Sequence, residues 1–154
     1  MPDREDRQMW EAFTSVLVWL PAALDDQLER DAALTLFEYG ILWTLSEADE
    51  RTLRMSELAR ATNASLSKLS RAAARLERRG WMTRLPDPAD GRCTLAVLTD
   101  AGRDKAADAT PGHIDAVNRL VFDQLTAPQV RQLHEISDRI LRAVRTEDSR
   151  PPQR

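Results

Sequence analysis

The sequence has few of the residues from which disulfide, metal and glycine-loop sites are built. Among its 154 residues are one cysteine, Cys93, two histidines and five glycines. One cysteine excludes an intramolecular disulfide framework and predicts a protein of the reducing cytoplasm. So few thiols and imidazoles predict no dedicated zinc site, and the glycines form no phosphate-binding loop motif. We therefore expect no metal and no cofactor.

Long apolar runs are missing too. No stretch approaches the ~18 apolar residues that a membrane-spanning helix needs, and the first residues, MPDREDRQMWEAF, lack a signal-peptide pattern. We expect no membrane partner. A chain of this length predicts one domain, residues 1–154, that can bury a core of ordinary size. The sequence also lacks a nucleophile elbow and an obvious acidic pair, which disfavours an enzyme.

The charge of the chain is unevenly distributed. The net charge of −3 would by itself argue against a polyanionic partner. However, residues 51–84 contain eight arginines and one lysine against two glutamates, a net charge of +7, which leaves −10 for the rest. A local basic region matters more to a polyanion than the net charge of the whole molecule. Charge alone leaves open the alternative of a solvated basic surface.

Apolar spacing and capping residues predict a mostly helical chain. Apolar residues spaced by three and four predict a first helix over about 5–28, with a kink at Pro21. A second helix is expected to follow Thr35 and to end near residue 46. Thr35 and Glu38 have the spacing of a capping box, in which each side chain bonds the other's backbone N–H.

Two further helices are predicted in the last third of the chain. Thr99 caps the first of them, which we expect to bend or break at the TPGH segment, residues 110–113. Thr126 caps the second, with Gln129 at the capping-box position. Apolar residues line one face of this last helix as far as Val144. The polar tail, residues 147–154, is expected to be disordered.

The middle of the chain predicts a helix-turn-helix followed by a β-hairpin. A short helix begins near Ser56, a turn occupies 62–64, and a longer helix begins at Ser65 and ends at Gly80. The runs WMTRL and CTLAVL flank a polar turn and have the pattern of strands. A helix-turn-helix with a following two-stranded ribbon is the arrangement of a winged helix.

The longer helix, SLSKLSRAAARLERRG, has one apolar and one basic side. A helical wheel predicts that four residues face the core: Leu66, Leu69, Ala73 and Leu76. The opposite side holds Ser67, Lys68, Arg71, Ala74, Arg75 and Arg78. In the major groove of duplex DNA, we expect Ser67, Lys68 and Arg71 to reach base edges. Arg75 and Arg78 lie further along the helix and are expected to meet phosphates. The alternative is a solvated basic face.

The hairpin turn, DPADGR, is stiff and acidic yet ends in an arginine. Asp90 and Arg92 are two residues apart, so their side chains can lie on the same side of the ribbon. A carboxylate in that position can hold the guanidinium through two hydrogen bonds and fix its direction. An arginine aimed in this way suits insertion into a narrow minor groove. The alternative is a turn whose charges only keep it solvated.

Together these motifs resemble the MarR family of bacterial winged-helix regulators. The likeness is carried by LERRGW, by the strand that ends in Arg84, by the DPADGR wing and by LTDAGR. The resemblance implies a DNA-binding lobe over 35–100 and a homodimer formed through helices in 1–30 and 111–146. It also implies that Ser70 joins the groove-reading residues and that Arg75 supports them on the DNA backbone. The expected fold is mostly α with a small β-hairpin wing and a helical dimerisation lobe.

The resemblance also implies a small-molecule effector, because members of the family are commonly released from DNA by aromatic or phenolic ligands. The residues expected to line such a pocket are Trp10, Trp19, Tyr39, Trp43 and His113. The alternative is that these aromatics belong to the core, which is common for aromatics at helical spacing. The N-terminal part has no cysteine for peroxide sensing, although Cys93 beside the wing could respond to oxidation if exposed.

The sequence thus predicts a transcriptional regulator, and specifically a repressor that binds a pseudo-palindromic operator as a dimer. The expected partners are double-stranded DNA, a second copy of the chain and a small aromatic or lipophilic effector. A second hypothesis is a winged-helix adaptor that binds protein or ligand and no DNA. The basic helix face and the intact pair of Asp90 and Arg92 favour the regulator, since an adaptor needs neither.

Overall fold

The computed structural model describes residues 3–148 and the side chains up to residue 146. The chain forms two compact units, Met1–Ala116 and Val117–Arg154. The helices and strands are α1 (Arg4–Ala32), α2 (Leu36–Glu47), β1 (Thr52–Arg54), α3 (Met55–Ala61), α4 (Leu66–Arg78), β2 (Met82–Pro86), β3 (Thr94–Leu98), α5 (Asp100–Leu120) and α6 (Ala127–Asp148). This confirms the prediction of a mostly helical chain with a helix-turn-helix and a β-hairpin.

Capping residues set the helix ends largely as predicted. At α2 the capping box is present: the Glu38 N–H donates to Thr35 Oγ1 at 3.0 Å, and the Thr35 N–H donates to Glu38 Oε2 at 3.1 Å. Gly80 follows the end of α4 with a φ of +75°, the left-handed conformation that glycine adopts without strain. Helix α1 continues four residues beyond its predicted end, to Ala32, and Ala33 ends it in the left-handed region.

Helix α5 runs without interruption through Pro111, so the predicted break at 110–113 is wrong. Proline removes one backbone hydrogen bond and strains the preceding turn. Packing outweighs this cost here, because Ala106 and Ala109 are buried against the core and Ala116 is buried further along the helix. Helix α1 likewise continues past Pro21.

The strands form an antiparallel sheet of order β1-β3-β2. The hairpin pairs Met82 with Leu98 and Pro86 with Thr94. Strand β1, which pairs Leu53 with Ala96, was not predicted from the sequence. Three residues are too few to show an alternating pattern, so only the pairing with β3 reveals this strand.

The core of the first unit lies between α2, α3, α4 and the sheet, with the end of α1 and the first half of α5 packed on it. Its largest fully buried side chains are Leu28, Leu34, Ile41, Leu42, Leu45, Leu58, Leu69, Leu76 and Met82. Leu66 was expected in this core but is 55% exposed, so that prediction is wrong. It is the first residue of α4, where the helix has just begun and its neighbours leave much of the side chain uncovered.

The second unit contains the last turn of α5 and helix α6. The predicted capping box at Thr126 is confirmed, because the Gln129 N–H donates to Thr126 Oγ1 at 3.5 Å and the Thr126 N–H donates to Gln129 Oε1 at 2.8 Å. Five large apolar side chains of α6 are exposed by 40–56%; they are Leu133, Ile136, Ile140, Leu141 and Val144. Helix α6 reaches Asp148 and so includes two residues of the tail that we expected to be disordered. The remaining tail residues, 149–154, lie outside the described residues.

None of the helices within residues 3–148 is both long enough and apolar enough to cross a membrane. Within the same range, no three side chains of histidine, cysteine, aspartate or glutamate come together in a way that could hold a metal ion.

Candidate nucleic-acid interface

Helix α4 is oriented by its cap and by its buried face. The Ser65 hydroxyl oxygen accepts the N–H of Lys68 at 3.1 Å and satisfies one of the free donors at the helix start. Leu69, Leu76 and the two alanines between them, Ala72 and Ala73, are buried. Because this side faces the core, the opposite side of α4 faces outward.

The outward side of α4 presents unpaired cations. Ser67, Arg71 and Arg78 are exposed and Ala74 is half-buried, in agreement with the helical wheel. Within residues 3–146, neither Arg71 nor Arg78 forms an ion pair or a side-chain hydrogen bond. Two guanidinium groups about two turns apart on one helix face are therefore available to an anionic partner.

Helix α2 holds two other basic side chains of α4. The Lys68 ammonium nitrogen lies 4.4 Å from the centre of the Phe37 ring, within the range of a cation–π contact. Arg75 Nε donates to Glu38 Oε1 at 2.8 Å, and the Glu38 side chain is only 5% exposed. Glu38 also completes the α2 capping box, so Arg75 connects α4 to the start of α2.

Glu77 and Arg84 join α4 to strand β2. Arg84 donates to Glu77 Oε2 from Nη2 at 2.7 Å and from Nε at 3.1 Å, and its backbone N–H donates to Oε1 at 2.8 Å. These hydrogen bonds from Arg84 lower the pKa of Glu77. Arg84 Nη1 also donates to Ser70 Oγ at 3.1 Å. Glu77 was not among the residues predicted to have a functional role, although it is the only acid in α4 and could have been noticed for that reason.

The base of the wing is fixed by Asp87, a residue that we had assigned only to the turn. Its side chain is 8% exposed and pairs with Arg54, whose Nε and Nη2 each lie 2.8 Å from Oδ2. The Ala89 N–H donates to the other carboxylate oxygen at 2.9 Å. That backbone hydrogen bond is the main cause that lowers the pKa of Asp87, and Arg54 lowers it further. The distant Arg54, at the end of β1, gave no sequence signal for this pair.

At the wing tip, Asp90 holds Arg92 as the turn chemistry predicted. Arg92 Nε lies 3.1 Å from Asp90 Oδ1, and Nη2 lies 3.4 Å from Oδ2. The hydrogen bond from the Arg92 side chain is the main cause that lowers the pKa of Asp90. The Arg92 side chain is nevertheless 92% exposed. An exposed but directed guanidinium is therefore presented at the tip. The thiol of Cys93, which is half-buried, donates a hydrogen bond to Asp90 Oδ2 with a distance of 3.7 Å from Sγ.

A cavity of about 600 Å³ lies in the first unit beside α4. Tyr39 and Trp43 of the expected ligand-binding set line it, together with Lys68 and Asp25. Its other lining residues include Pro21, Leu36, Phe37 and Thr62. It is thus a largely apolar space with one cation and one carboxylate at its wall.

The other three residues of the expected ligand-binding set, His113, Trp10 and Trp19, do not line this cavity. The His113 ring lies next to the Tyr39 ring, with 4.6 Å between centres, but does not line the cavity. Burial lowers the pKa of His113, and its Nδ1 has no hydrogen-bond partner in the described part of the chain. Trp10 and Trp19 are 58% and 73% exposed on α1 and are not among the cavity-lining residues.

The chain is similar to known proteins in both sequence and structure. The MarR family profile matches residues 34–94, from the start of α2 to the wing. The structure is similar to that of Sco3205, a MarR family transcriptional regulator from Streptomyces coelicolor in complex with DNA. That match has a TM-score of 0.91 and 39% sequence identity and covers 94% of both chains.

Two further relatives are more distant in sequence. AbsC, a MarR family regulator from Streptomyces coelicolor, matches with a TM-score of 0.90 and 29% identity, over 95% of this chain and 98% of AbsC. The transcriptional repressor MprA of Escherichia coli K12 is 29% identical over 100 residues, or 65% of this chain. The match spans 56% of the length of that repressor.

Proposed function

Because the chain belongs to the MarR family of transcriptional regulators, we propose that it represses transcription by binding a pseudo-palindromic operator as a homodimer. The observation that carries this proposal is the outward side of α4, where Arg71 and Arg78 are unpaired, together with the directed Arg92 at the wing tip. Uncompensated cations repel one another, and a phosphate backbone neutralises them. The similarity to a family member in complex with DNA supports the same reading.

The residues of α4 have different tasks in this proposal. Ser67 and Arg71 read base edges, because they are exposed on the N-terminal half of the helix that enters the major groove. Ser70 accepts a hydrogen bond from Arg84 and keeps its own hydroxyl hydrogen for a base acceptor. Arg78 meets phosphate. Lys68 reaches the DNA only by leaving the Phe37 ring.

Arg75 and Arg92 act through their acidic partners. Glu38 fixes Arg75 beside α2, and from this position the guanidinium supports α4 on the DNA backbone. Asp90 directs Arg92 toward the minor groove, where the negative potential of a narrow groove favours a guanidinium.

The proposed dimer rests on two exposed apolar faces. On α1 the exposed apolar side chains are Met9, Trp10, Val16, Leu17, Val18 and Trp19. Helix α6 carries the second face, described above. On α1, the residues from Val16 to Trp19 are consecutive and so lie around the helix, and this many exposed large apolar side chains favours contact with another chain. Two copies of α4 in successive major grooves require half-sites about 10 bp apart.

The binding proposal is tested with duplexes from the region upstream of the protein's own coding sequence, with random duplex as competitor. Fluorescence anisotropy measures the affinity over a range of salt concentrations. We expect Arg92→Ala to weaken binding and to reduce the slope of log affinity against log salt by about one. We expect Arg71→Ala to relax the preference for particular bases in a binding-site selection.

Arg103→Ala is the matched control, because Arg103 forms an exposed ion pair with Asp104 on α5 and lies outside α4 and the wing. It should leave the salt slope unchanged. If the wild-type protein binds no duplex in preference to the competitor, the adaptor hypothesis replaces this one. If Arg92→Ala binds like wild type at every salt concentration, the wing does not contact DNA.

The cavity beside Tyr39 and Trp43 is the site that we propose for an aromatic or lipophilic effector. Its position next to Lys68 places a ligand in contact with α4, so that occupancy can change DNA affinity. A panel of hydroxybenzoates and cinnamates is added to the binding assay, and Trp43→Ala is compared with wild type. We expect the variant to bind DNA normally and to lose the response. A response that is equal in both proteins would place the effector elsewhere.

A further inference from the structure

Helix α4 exposes one large apolar side chain among polar ones. Seven of its side chains are exposed, and six of these are serine, lysine or arginine; the seventh is Leu66. Leu69 and Leu76, the other leucines of the helix, are fully buried. Leu66 is 55% exposed. It therefore contributes only part of its area to the core and keeps a substantial apolar surface available to a partner.

Leu66 also lies on the side of α4 that faces the wing. It lines a groove of about 360 Å³, and the polar side chains of that groove include Ser70, Arg84 and Arg92. Ser70 follows Leu66 by one helical turn, so the two side chains are neighbours on the helix surface. Leu66 is thus surrounded by residues that the proposed function assigns to DNA or to the support of the wing.

The edges of the base pairs leave little choice of partner for such a side chain. In the major groove the bases present hydrogen-bond donors, acceptors and one apolar group, the C5-methyl of thymine. A leucine can neither donate nor accept a hydrogen bond, and only the methyl group offers it a favourable contact. Serine and arginine on the same turns suit the polar groups of neighbouring bases.

We infer that Leu66 is a specificity residue that contacts the C5-methyl group of a thymine in each half-site. This inference rests on the proposed binding of α4 in the major groove. It adds to that function a base identity that is read by apolar contact, beside the polar contacts of Ser67 and Arg71.

The experiment removes the methyl group and the side chain separately. A duplex is first selected from a random pool by the wild-type protein, and each thymine of a half-site is then replaced in turn by deoxyuridine, which lacks only the methyl group. Affinities are measured for wild type and for Leu66→Ala. We expect one thymine in each half-site at which deoxyuridine lowers wild-type affinity by about three- to five-fold, the value of burying one methyl-sized group.

In Leu66→Ala the same replacement should change affinity by less than about 1.5-fold, because the side chain that senses the methyl group is absent. Leu66→Met retains an apolar side chain of similar volume and should keep the discrimination. Leu85→Ala is the matched control: Leu85 is 50% exposed, but it belongs to the wing strand β2 and does not line this groove. It should retain the full effect of deoxyuridine.

The outcomes separate this inference from the proposed function. If the wild-type protein selects no sequence, DNA reading by α4 fails and the inference fails with it. If the protein selects a sequence, but deoxyuridine has no effect or the same effect in Leu66→Ala, only the thymine contact is overturned. Urea unfolding measures the free energy of unfolding of Leu66→Ala. We expect this free energy to be close to that of wild type because Leu66 is half exposed, and such a result shows that a change in affinity does not reflect loss of the fold.

Discussion

At the scale of single residues, three of the eight arginines in residues 51–84 hold neighbouring elements together. Arg54, Arg75 and Arg84 each pair with a carboxylate that is at least 70% buried: Asp87, Glu38 and Glu77. A buried carboxylate without its partner is costly, so each pair strongly favours one arrangement of its two elements. The net charge of residues 51–84 thus overstates the charge offered to DNA.

Asp87→Asn tests the wing anchor through its pH dependence. The folded-state pKa of Asp87 lies below its ordinary value, so its ionised form stabilises the fold above the unfolded-state pKa. This stabilisation is lost as the pH falls through the folded-state pKa. We expect the variant to unfold at a temperature several degrees below wild type at pH 7, and the difference to shrink below about pH 3.9.

Thermal unfolding followed by circular dichroism from pH 3 to pH 7 measures this effect. Asp104→Asn is the control, because Asp104 is 65% exposed in its pair with Arg103. A difference between Asp87→Asn and wild type that stays constant over the whole pH range would show that the carboxylate charge is not what stabilises the wing.

At the scale of elements, side-chain hydrogen bonds link the wing to α4. Glu77 on α4 bonds both the backbone and the guanidinium of Arg84 on β2. The Thr99 hydroxyl, just before α5, donates to the Gly80 carbonyl oxygen at the end of α4 at 2.7 Å. The relative placement of α4 and the wing depends on these links.

Glu77→Gln distinguishes positioning from charge. Removing an acid makes the region more basic, so a purely electrostatic effect would raise DNA affinity. The neutral amide of glutamine weakens the hydrogen bonds from Arg84 and loosens the wing, so we expect the affinity to fall several-fold. The salt slope should change little, because no phosphate-contacting cation is removed. Anisotropy titrations at two or more salt concentrations measure both quantities; an affinity above that of wild type would contradict the positioning role.

Gly102 determines how closely the start of α5 packs on the segment before β2. A Cβ atom at this position would overlap the carbonyl oxygen of Trp81 and lie 2.8 Å from Leu98 Cδ1. We expect Gly102→Ala to lower the free energy of unfolding by about 1–3 kcal/mol, as overpacking does elsewhere. Urea unfolding measures it.

Gly40→Ala is the matched control, since a Cβ atom at Gly40 in α2 meets no heavy atom within 4 Å. This variant should raise the free energy of unfolding by about 0.5–1 kcal/mol, because alanine favours a helix over glycine. Equal effects of the two substitutions would contradict the close contact at Gly102.

At the scale of the whole molecule, the basic residues and the exposed apolar side chains are concentrated in different helices of the chain. The basic residues concentrate in the first unit between Arg51 and Arg84, while α1 and α6 carry exposed apolar side chains. A second copy of the chain is the occupant that we propose for these faces. The same pairing would place two copies of α4 on one duplex and multiply their affinity.

Trp19→Glu tests the dimer. Trp19 is 73% exposed on α1 of the single chain, and in the proposed dimer a glutamate at this position would be buried at a high cost in free energy. We expect the dissociation constant of the dimer to rise by about 30-fold, the effect of losing an interface tryptophan worth about 2 kcal/mol. Light scattering coupled to size-exclusion chromatography measures the mass across concentrations.

Arg7→Glu, an exposed change of charge on the same helix, is the control and should leave the mass unchanged. A wild-type protein that is monomeric at every concentration would contradict the proposed dimer. A Trp19→Glu protein that remains as dimeric as wild type would remove this part of α1 from the interface.

The local sequence determined the features that depend on neighbouring residues. Residues within three positions of one another form the capping boxes at Thr35 and Thr126 and the pair of Asp90 and Arg92, so spacing alone predicts these contacts. The left-handed conformation of Gly80 is likewise a local property of glycine at a helix end. The outward placement of Ser67 and Arg71 follows from helical periodicity in the same way.

Tertiary structure decided what depends on distant partners. Strand β1 exists because β3 pairs with it. Two ion pairs also join distant residues: Glu38 and Arg75 are 37 positions apart, and Arg54 and Asp87 are 33 positions apart. The exposure of Leu66 and the continuity of α5 through Pro111 depend on what packs against each position. Periodicity gives the side of a helix on which a residue lies, but only the packed chain determines whether anything covers that side.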